Sequence, residues 1–379
     1  MKTAQMRTWA EVSLENIEHN YRDIRGTLPS GCRYMAVVKA NAYGHGAAPV
    51  AARFAAAGAD YLGVACLEEA AQLRQAGLTL PILILGYTSP RQAAELVTLD
   101  ITQTVVDETQ GRALSQALQG AGQRLKIHLK LDTGMGRLGF PTWDDAALEA
   151  ARRVRTLPGL EAEGVFTHFA VSDEPDKDYT AEQLARFTAA LGALEAGGGR
   201  FEIRHCANSG AVINYIGDLD KADCADMVRV GLAGYGLYPG AEHGSVDLRP
   251  AMRLCTRVAA VTKHRAGDTI SYGRTFTAAR DMRLAVLPIG YADGLHRVLS
   301  SKLEILLGGV RVKQVGRICM DMCMVDITDG PDVSVGDVAT VFGGPALPVE
   351  EQAEKAGTIS YELVCAVSPR VRRVYTDWK

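Results

Sequence analysis

Arg33-Tyr34-Met35-Ala36-Val37-Val38-Lys39-Ala40-Asn41-Ala42-Tyr43-Gly44-His45-Gly46 is a short apolar, β-branched run that ends in a lysine. It opens through small residues and glycines into an alanine-rich helical stretch, which makes it one strand–turn–helix unit. The chain repeats the unit. Strand-like runs at Arg33–Lys39, Tyr61–Ala65, Pro81–Gly86, Ile101–Val106, Leu125–Leu131, Glu161–Thr167, Glu202–Cys206 and Met227–Val230 alternate with helical stretches at 47–57, 67–76, 90–97, 108–121, 143–154, 178–196 and 208–216. About eight strands alternating with helices over roughly 230 residues carry the signature and size of a (β/α)8 TIM barrel. A doubly wound open sheet is the rival, but no GxGxxG follows the first strand. The pattern favours the barrel.

Past Gly240 the texture changes. Gly, Pro and charged residues from Tyr238 to Pro250 read as a linker. The runs after it are short and β-branched: Cys255–Val261, Thr269–Tyr272, Arg283–Pro288, Leu303–Leu307, Val310–Val315, Met322–Ile327 and Val338–Phe342. Gly308-Gly309 between two of them is a hairpin signal. The expectation is a barrel over residues 1–240 and a mostly antiparallel β domain over 241–379. The alternating run Thr8–Leu14 is expected to join the β domain, because Arg33–Lys39 already supplies the barrel's first strand.

Bulk properties narrow the function. The 379 residues are 47% hydrophobic and 22% charged, as in an ordinary soluble enzyme. A net charge of −3, with Lys and Arg dispersed, argues against nucleic acid as a partner. The eight cysteines form no CxxC pair, so reduced thiols in a cytoplasmic protein are expected rather than disulfides or a metal. Residues 1–20 lack the apolar core of a signal peptide, and no run is long enough to cross a bilayer.

Polar groups gather where barrel active sites form, at the C-terminal ends of strands. Lys39 ends the first strand. Lys130 and Asp132 end the fifth, followed by Thr133-Gly134-Met135-Gly136-Arg137. His168 ends the sixth, His205 the seventh with Asn208-Ser209-Gly210 after it, and Arg229 lies near the end of the eighth. A single lysine or histidine at a strand end is usually a surface or packing residue. Gathered at one rim they favour a site, and a lysine there suits a Schiff-base amine.

These residues sit in motifs that resemble the alanine racemase family: Ala-Val-Val-Lys-Ala-Asn-Ala-Tyr-Gly-His-Gly (36–46), Lys-Leu-Asp-Thr-Gly-Met-Gly-Arg (130–137), His-Cys-Ala-Asn-Ser-Gly (205–210), Val-Arg-Val-Gly-Leu (228–232), Ser-Tyr-Gly (271–273), Gly-Tyr-Ala-Asp-Gly (290–294), Cys-Met-Asp-Met (319–322) and Ser-Tyr-Glu-Leu (360–363). They occur in the family's order nearly end to end. The resemblance implies a pyridoxal 5'-phosphate enzyme in which Lys39 forms the Schiff base and acts as base on one face of the substrate. Tyr272 would be the base on the opposite face. His168, relaying to Arg229, would activate it, since an unperturbed tyrosine has a pKa of about 10.

Arg229 would face the pyridine nitrogen. A guanidinium only donates, so it would leave that nitrogen unprotonated and favour racemisation over the decarboxylation of barrel relatives that place a carboxylate there. Tyr43, Ser209 and Tyr361 hydroxyls, with the Ser209, Gly231 and Leu232 amides, would hold the phosphate. His205 and Asn208 complete the cofactor-binding set. Arg137 and the Met320 amide would meet the substrate carboxylate, and Tyr291 with Tyr361 would narrow the entry. Lys130 is expected to be carbamylated, which would turn a repelling cation into a partner for Arg137.

The implied activity is a cytoplasmic homodimer, its active sites shared between subunits, that supplies D-alanine for peptidoglycan. One alternative is a serine or broad-specificity racemase of the vancomycin-resistance type. Retention of Tyr361 counts toward alanine. Another alternative is a pyridoxal-phosphate homeostasis protein without turnover. Relatives of that kind resemble only the barrel, and the β domain bearing Tyr272 and Met320 argues against it.

Overall fold

The computed structural model of the chain describes residues 5–120, 122–196, 198–221, 223, 226–241 and 244–377. These form two compact units. One comprises Ile17–Ala42 and Ala47–Arg249; the other comprises the chain up to Asn16, the short segment Tyr43–Gly46, and everything from Pro250 onward.

In chain order the first ten strands are β1 (Thr8–Val12), β2 (Arg33–Val37), β3 (Tyr61–Val64), β4 (Ile82–Ile84), β5 (Ile101–Val105), β6 (Leu125–Asp132), β7 (Phe140–Pro141), β8 (Leu160–Phe166), β9 (Ile203–His205) and β10 (Met227–Val230). In the first unit, eight strands pair in parallel in the order β10-β2-β3-β4-β5-β6-β8-β9, with short β7 alongside β6. The Arg229 N–H donates to Ala207 O at 3.0 Å, joining the last strand to the end of β9. β3, β4, β5, β9 and β10 are buried at every position and β2 at all but Arg33, because helices cover the outside while the inward side chains fill the barrel. Helices Ala47–Ala57, Leu67–Gln75, Glu108–Ala117, Asp145–Arg155, Asp178–Glu195 and Ser209–Lys221 fall on stretches read from sequence as helical.

The second unit holds β11 (Met252–Arg257), β12 (Ala260–His264), β13 (Thr269–Ile270), β14 (Phe276–Thr277), β15 (Met282–Leu287), β16 (Glu304–Leu307), β17 (Val310–Val315), β18 (Cys323–Asp326), β19 (Val338–Phe342) and β20 (Arg372–Tyr375). Nine strands run β12-β15-β18-β17-β16-β19-β11-β1-β20. β1 pairs antiparallel with β11 and parallel with β20, so the alternating N-terminal run does pair with the β domain's strands. Gly308 and Gly309 turn β16 into β17 with φ of 58° and 81°, a turn that needs positive φ at both positions.

The structure departs from the sequence reading in several places. The run Cys255–Val261 is two strands, β11 and β12, separated after Arg257. Tyr272 does not continue β13 but begins a short 3-10 turn, Tyr272–Arg274. Helices Leu14–Thr27, Val349–Ala356 and Ser360–Ala366 were not anticipated. The linker reading at Tyr238–Pro250 includes positions 242 and 243, which lie outside the described residues.

Candidate active site

Lys39 directly follows Val38, whose N–H donates to Gly63 O at 2.8 Å and so extends β2 by one residue. Next the chain winds left-handed. Ala40, Asn41, Ala42 and Tyr43 have φ of 52°, 55°, 53° and 50°. None is a glycine, and each costs about 1–2 kcal/mol in this conformation. Side chains hold the turn. Glu69 accepts the Ala40 N–H on Oε1 at 2.6 Å and the Ala65 N–H on Oε2 at 2.8 Å, and Asn41 Oδ1 accepts the Ala47 N–H at 2.8 Å. The lysine therefore leaves a backbone fixed on both sides, and its side chain is half-buried.

Across the same rim, Arg229 is buried, 4% exposed, and donates to four acceptors: His205 Nδ1 at 2.9 Å, Thr167 O at 2.8 Å, Cys206 O at 3.1 Å and His168 Nδ1 at 3.2 Å. Burial, with the charge of Arg137 adding, lowers its guanidinium to about 10, so it remains a cation at neutral pH. His168 accepts from a donor-only group on Nδ1, which places its ring proton on Nε2. The ring is held well below the usual histidine range, first by burial and then by the charges of Arg229, Lys130, Arg137 and Lys39. His205 is pushed down in the same way, by burial and then Arg229. Phe166 stacks on His205 at 4.7 Å between centroids, with the Arg229 guanidinium 5.2 Å from the same ring.

Lys130 is 5% exposed, donates to Leu131 O at 2.9 Å, and has its amine 5.2 Å from the Phe166 ring centroid. Burial and then Arg229 bring its amine down to about 7. Asp132 Oδ1 accepts the Gly134 and Gly136 amides at 2.9 and 3.1 Å. Arg186 on Thr133 O and Tyr179 on Gly134 O fasten the same loop. Arg137 itself is exposed at its end.

Ser209 begins the helix Ser209–Lys221, and its Oγ accepts the Gly231 N–H at 2.9 Å. Leu232 opens a 3-10 turn directly after. Asn208 does a different job from its neighbours. Its Oδ1 accepts from Ser172 Oγ at 2.7 Å and the Ala211 N–H at 3.0 Å, so it caps and anchors the helix. A hydroxyl, glycine-adjacent amides and a helix N-terminus make a donor set suited to a phosphate. A donor-only guanidinium suits an aromatic ring nitrogen, and a rim amine suits an aldehyde. The residues fit pyridoxal 5'-phosphate.

The second unit carries the other predicted residues. Tyr43 and Tyr361 lie ring to ring at 6.0 Å, and Arg373 Nε fastens the neighbouring segment through Gly44 O at 2.7 Å. Tyr272, Tyr291 and Met320 share one region: Ser271 Oγ donates to Arg317 O, the Tyr291 N–H to Cys319 O, and the Ala292 N–H to Met320 O. All three side chains are exposed, at 70%, 42% and 53%.

Glu69, Thr167, His128 and Glu163 were missed from sequence. His128 occupies an alternate position along Leu125–Asp132 beside Lys130, a period-2 signal that an inward-facing site residue would give. Cys32, Cys66, Cys206, Cys255, Cys319, Cys323 and Cys365 form no disulfide among the described residues, and Cys224 lies outside them. No helix of the described residues is long and apolar enough to cross a membrane.

Comparison with known proteins points to one family. Residues 12–239 match the family profile "Alanine racemase, N-terminal domain", and residues 251–375 match "Alanine racemase, C-terminal domain". An alanine racemase from Desulfovibrio desulfuricans is 49% identical over 97% of this chain and 98% of its own. The solved alanine racemase of Clostridium difficile 630 superposes with a TM-score of 0.92 at 36% identity, covering 98% of this chain and 96% of that one. That of Bacillus anthracis, solved with bound L-Ala-P, gives 0.91 at 36% identity, covering 98% and 95%.

Proposed function

The chain belongs to the alanine racemase family, and from that premise we propose that it interconverts L- and D-alanine with pyridoxal 5'-phosphate by a two-base mechanism. The observation that carries this reading is convergence: Arg229 donates to the imidazoles of both His168 and His205, and the Lys130 amine lies over the same Phe166 ring as that guanidinium, so residues from four separate strands meet at one rim. The bound cofactor supplies the electron sink that acidifies the substrate's Cα–H bond. The chain's own residues then divide the work. Lys39 Nζ takes or returns the proton on one face. Tyr272 Oη does so on the other, and the Nε2–H of a neutral His168 is the donor available to hold that oxygen as phenolate. Arg229 would hold the ring nitrogen while keeping it unprotonated. Ser209 with the Gly231 and Leu232 amides, together with Tyr43 and Tyr361, would hold the phosphate. Arg137 and the Met320 amide would take the substrate carboxylate, and Tyr291 would narrow the approach.

The exposure of Tyr272, Met320 and Tyr291 supports the further reading that they serve the barrel of a second copy, in a cytoplasmic homodimer that feeds D-alanine to peptidoglycan synthesis. The test is polarimetry of L-alanine and L-serine with the cofactor-loaded protein in deuterium oxide. Alanine is expected to racemise with exchange at Cα and to outpace serine. A loaded protein that leaves L-alanine unchanged sinks the reading.

Lys130 adds a prediction of its own. Carbon dioxide reacts with the free amine, and this amine loses its proton near pH 7 rather than near 10.5. Carbamate on Lys130 is therefore expected to increase as pH rises through about 7, and to fall as the amine protonates below it. Carbon-13 NMR with labelled bicarbonate should show a carbamate carbon that Lys130→Ala lacks. Lost activity in that variant should return with a small added carboxylate. A spectrum without the signal at pH 8 would refute the modification.

A further inference from the structure

Arg229 is a buried cation whose four hydrogen bonds all go to carbonyl oxygens and imidazole nitrogens, none to a carboxylate. One of the four leads onward. His205 Nε2 lies 2.8 Å from His128 Nδ1, and His128 Nε2 lies 3.1 Å from Glu163 Oε2. A guanidinium can only donate and a carboxylate can only accept. With both ends fixed, each ring has a single assignment. His205 accepts on Nδ1 and donates from Nε2 to His128 Nδ1, and His128 donates from Nε2 to Glu163. Three hydrogens point the same way, from the rim toward the opposite mouth of the barrel.

The fold makes room for the middle ring. β6 slips its register against β8 between Ile127 and His128. A methyl group on Gly164 would come within 2.6–2.8 Å of three atoms of the His128 ring, so only glycine leaves the ring its place. Glu163 also takes Tyr61 Oη at 2.6 Å on Oε2 and Lys126 Nζ at 2.9 Å on Oε1. Burial would raise its carboxyl, but the hydrogen bonds from His128, Tyr61 and Lys126 outweigh that and hold it at about 2. The carboxylate is therefore charged, and both imidazoles are pushed down by burial toward their neutral forms.

A purely structural filling of a barrel core needs no ionised group, and burying one is unfavourable unless it is well partnered. What a carboxylate adds at the end of such a chain is polarisation. It draws the Nε2 hydrogens of both rings toward itself and makes His205 Nδ1 a stronger acceptor. We propose that Glu163 is a positioning residue for Arg229, acting through His128 and His205: it fixes the direction of the chain and strengthens the acceptor that aims the guanidinium. This inference rests on the racemase reading, in which Arg229 attends the cofactor's ring nitrogen.

Two measurements test it on the full-length, cofactor-loaded protein. Nitrogen-15 NMR of labelled histidine should show both rings as neutral Nε2–H tautomers without titration between about pH 5.5 and 8.5. Finding either ring as the Nδ1–H tautomer, or doubly protonated, overturns the proposal and needs no variant. Glu163→Gln keeps the shape and removes the charge. It should shift the His205 ring signals, lower kcat for alanine roughly tenfold with KM unchanged, and raise the share of turnovers lost to transamination. Tyr61→Phe removes another donor to the same oxygen and should change none of these. Equal losses in the two variants, or a normal His205 spectrum and kcat in Glu163→Gln, would reduce Glu163 to a packing residue. A wild-type protein that does not racemise alanine would defeat the functional reading but leave the NMR result standing on its own.

Discussion

Lys39→Ala should lower alanine racemisation by on the order of 10⁴-fold, the scale expected when an enzyme loses the group proposed to make its covalent bond. The expectation is sharp because the mutation leaves the surrounding scaffold intact. Val38 remains bonded to Gly63 O and Ala40 to Glu69, and neither contact involves the lysine side chain. Thermal stability should stay near that of wild type, so the loss would be chemical rather than structural. Borohydride reduction followed by peptide mass analysis provides the check. The wild-type chain should carry the reduced cofactor on the peptide containing Lys39, and the variant should carry none. A label on another lysine, or appreciable racemisation by the variant, would remove the foundation of the mechanism.

Tyr272→Phe should cost about 10³-fold in the same assay while the bound cofactor keeps its colour, because the role proposed for the missing group is confined to one face of the substrate. At 70% exposed, the Tyr272 side chain does little packing within its own unit, so deleting one oxygen should barely affect folding. The two variants together address assembly. If Tyr272 serves the barrel of a second copy, refolding or slowly exchanging a mixture of the two inactive proteins produces hybrids with one intact site each. Activity should then climb to about a quarter of wild type, since half of the dimers are hybrids and half of their sites are whole. Should the mixture stay as inactive as its parts under demonstrated exchange, a site shared between copies is ruled out.

How far the sequence carried depended on the kind of signal. The barrel strands were legible because apolar, strand-like runs, clearest at Tyr34–Val38 and Ile82–Leu85, alternate with helical stretches from Arg33 to Val230. The N-terminal strand at Thr8–Val12 was legible by its alternation. What failed was punctuation. Cys255–Val261 carries no Gly, Pro, Asn or Asp to mark a break, and only tertiary pairing of Met252–Arg257 with β1 and of Ala260–His264 with β15 divides it. At the rim, Lys39 and Arg229 stood out because they lie at or next to the ends of strands. Glu163 and His128 lie mid-strand, where a charged residue reads as outward-facing until its partners are known. Glu69 was hidden among the ordinary glutamates of a helix's first turn, and nothing in a linear pattern says that its two oxygens hold the backbone on either side of β3.

The place of β1 has a consequence for how the molecule comes into being. Its residues are synthesised before those of the other described strands, yet its two neighbours, β11 and β20, begin at Met252 and Arg372. All eight strands of the barrel are synthesised between the first strand and the earlier of its partners. Throughout that interval the nascent chain carries an unpaired strand, open to mispairing with other chains. Closing the gap between residues so distant in sequence makes completion of this sheet a late event, after elongation has passed Tyr375.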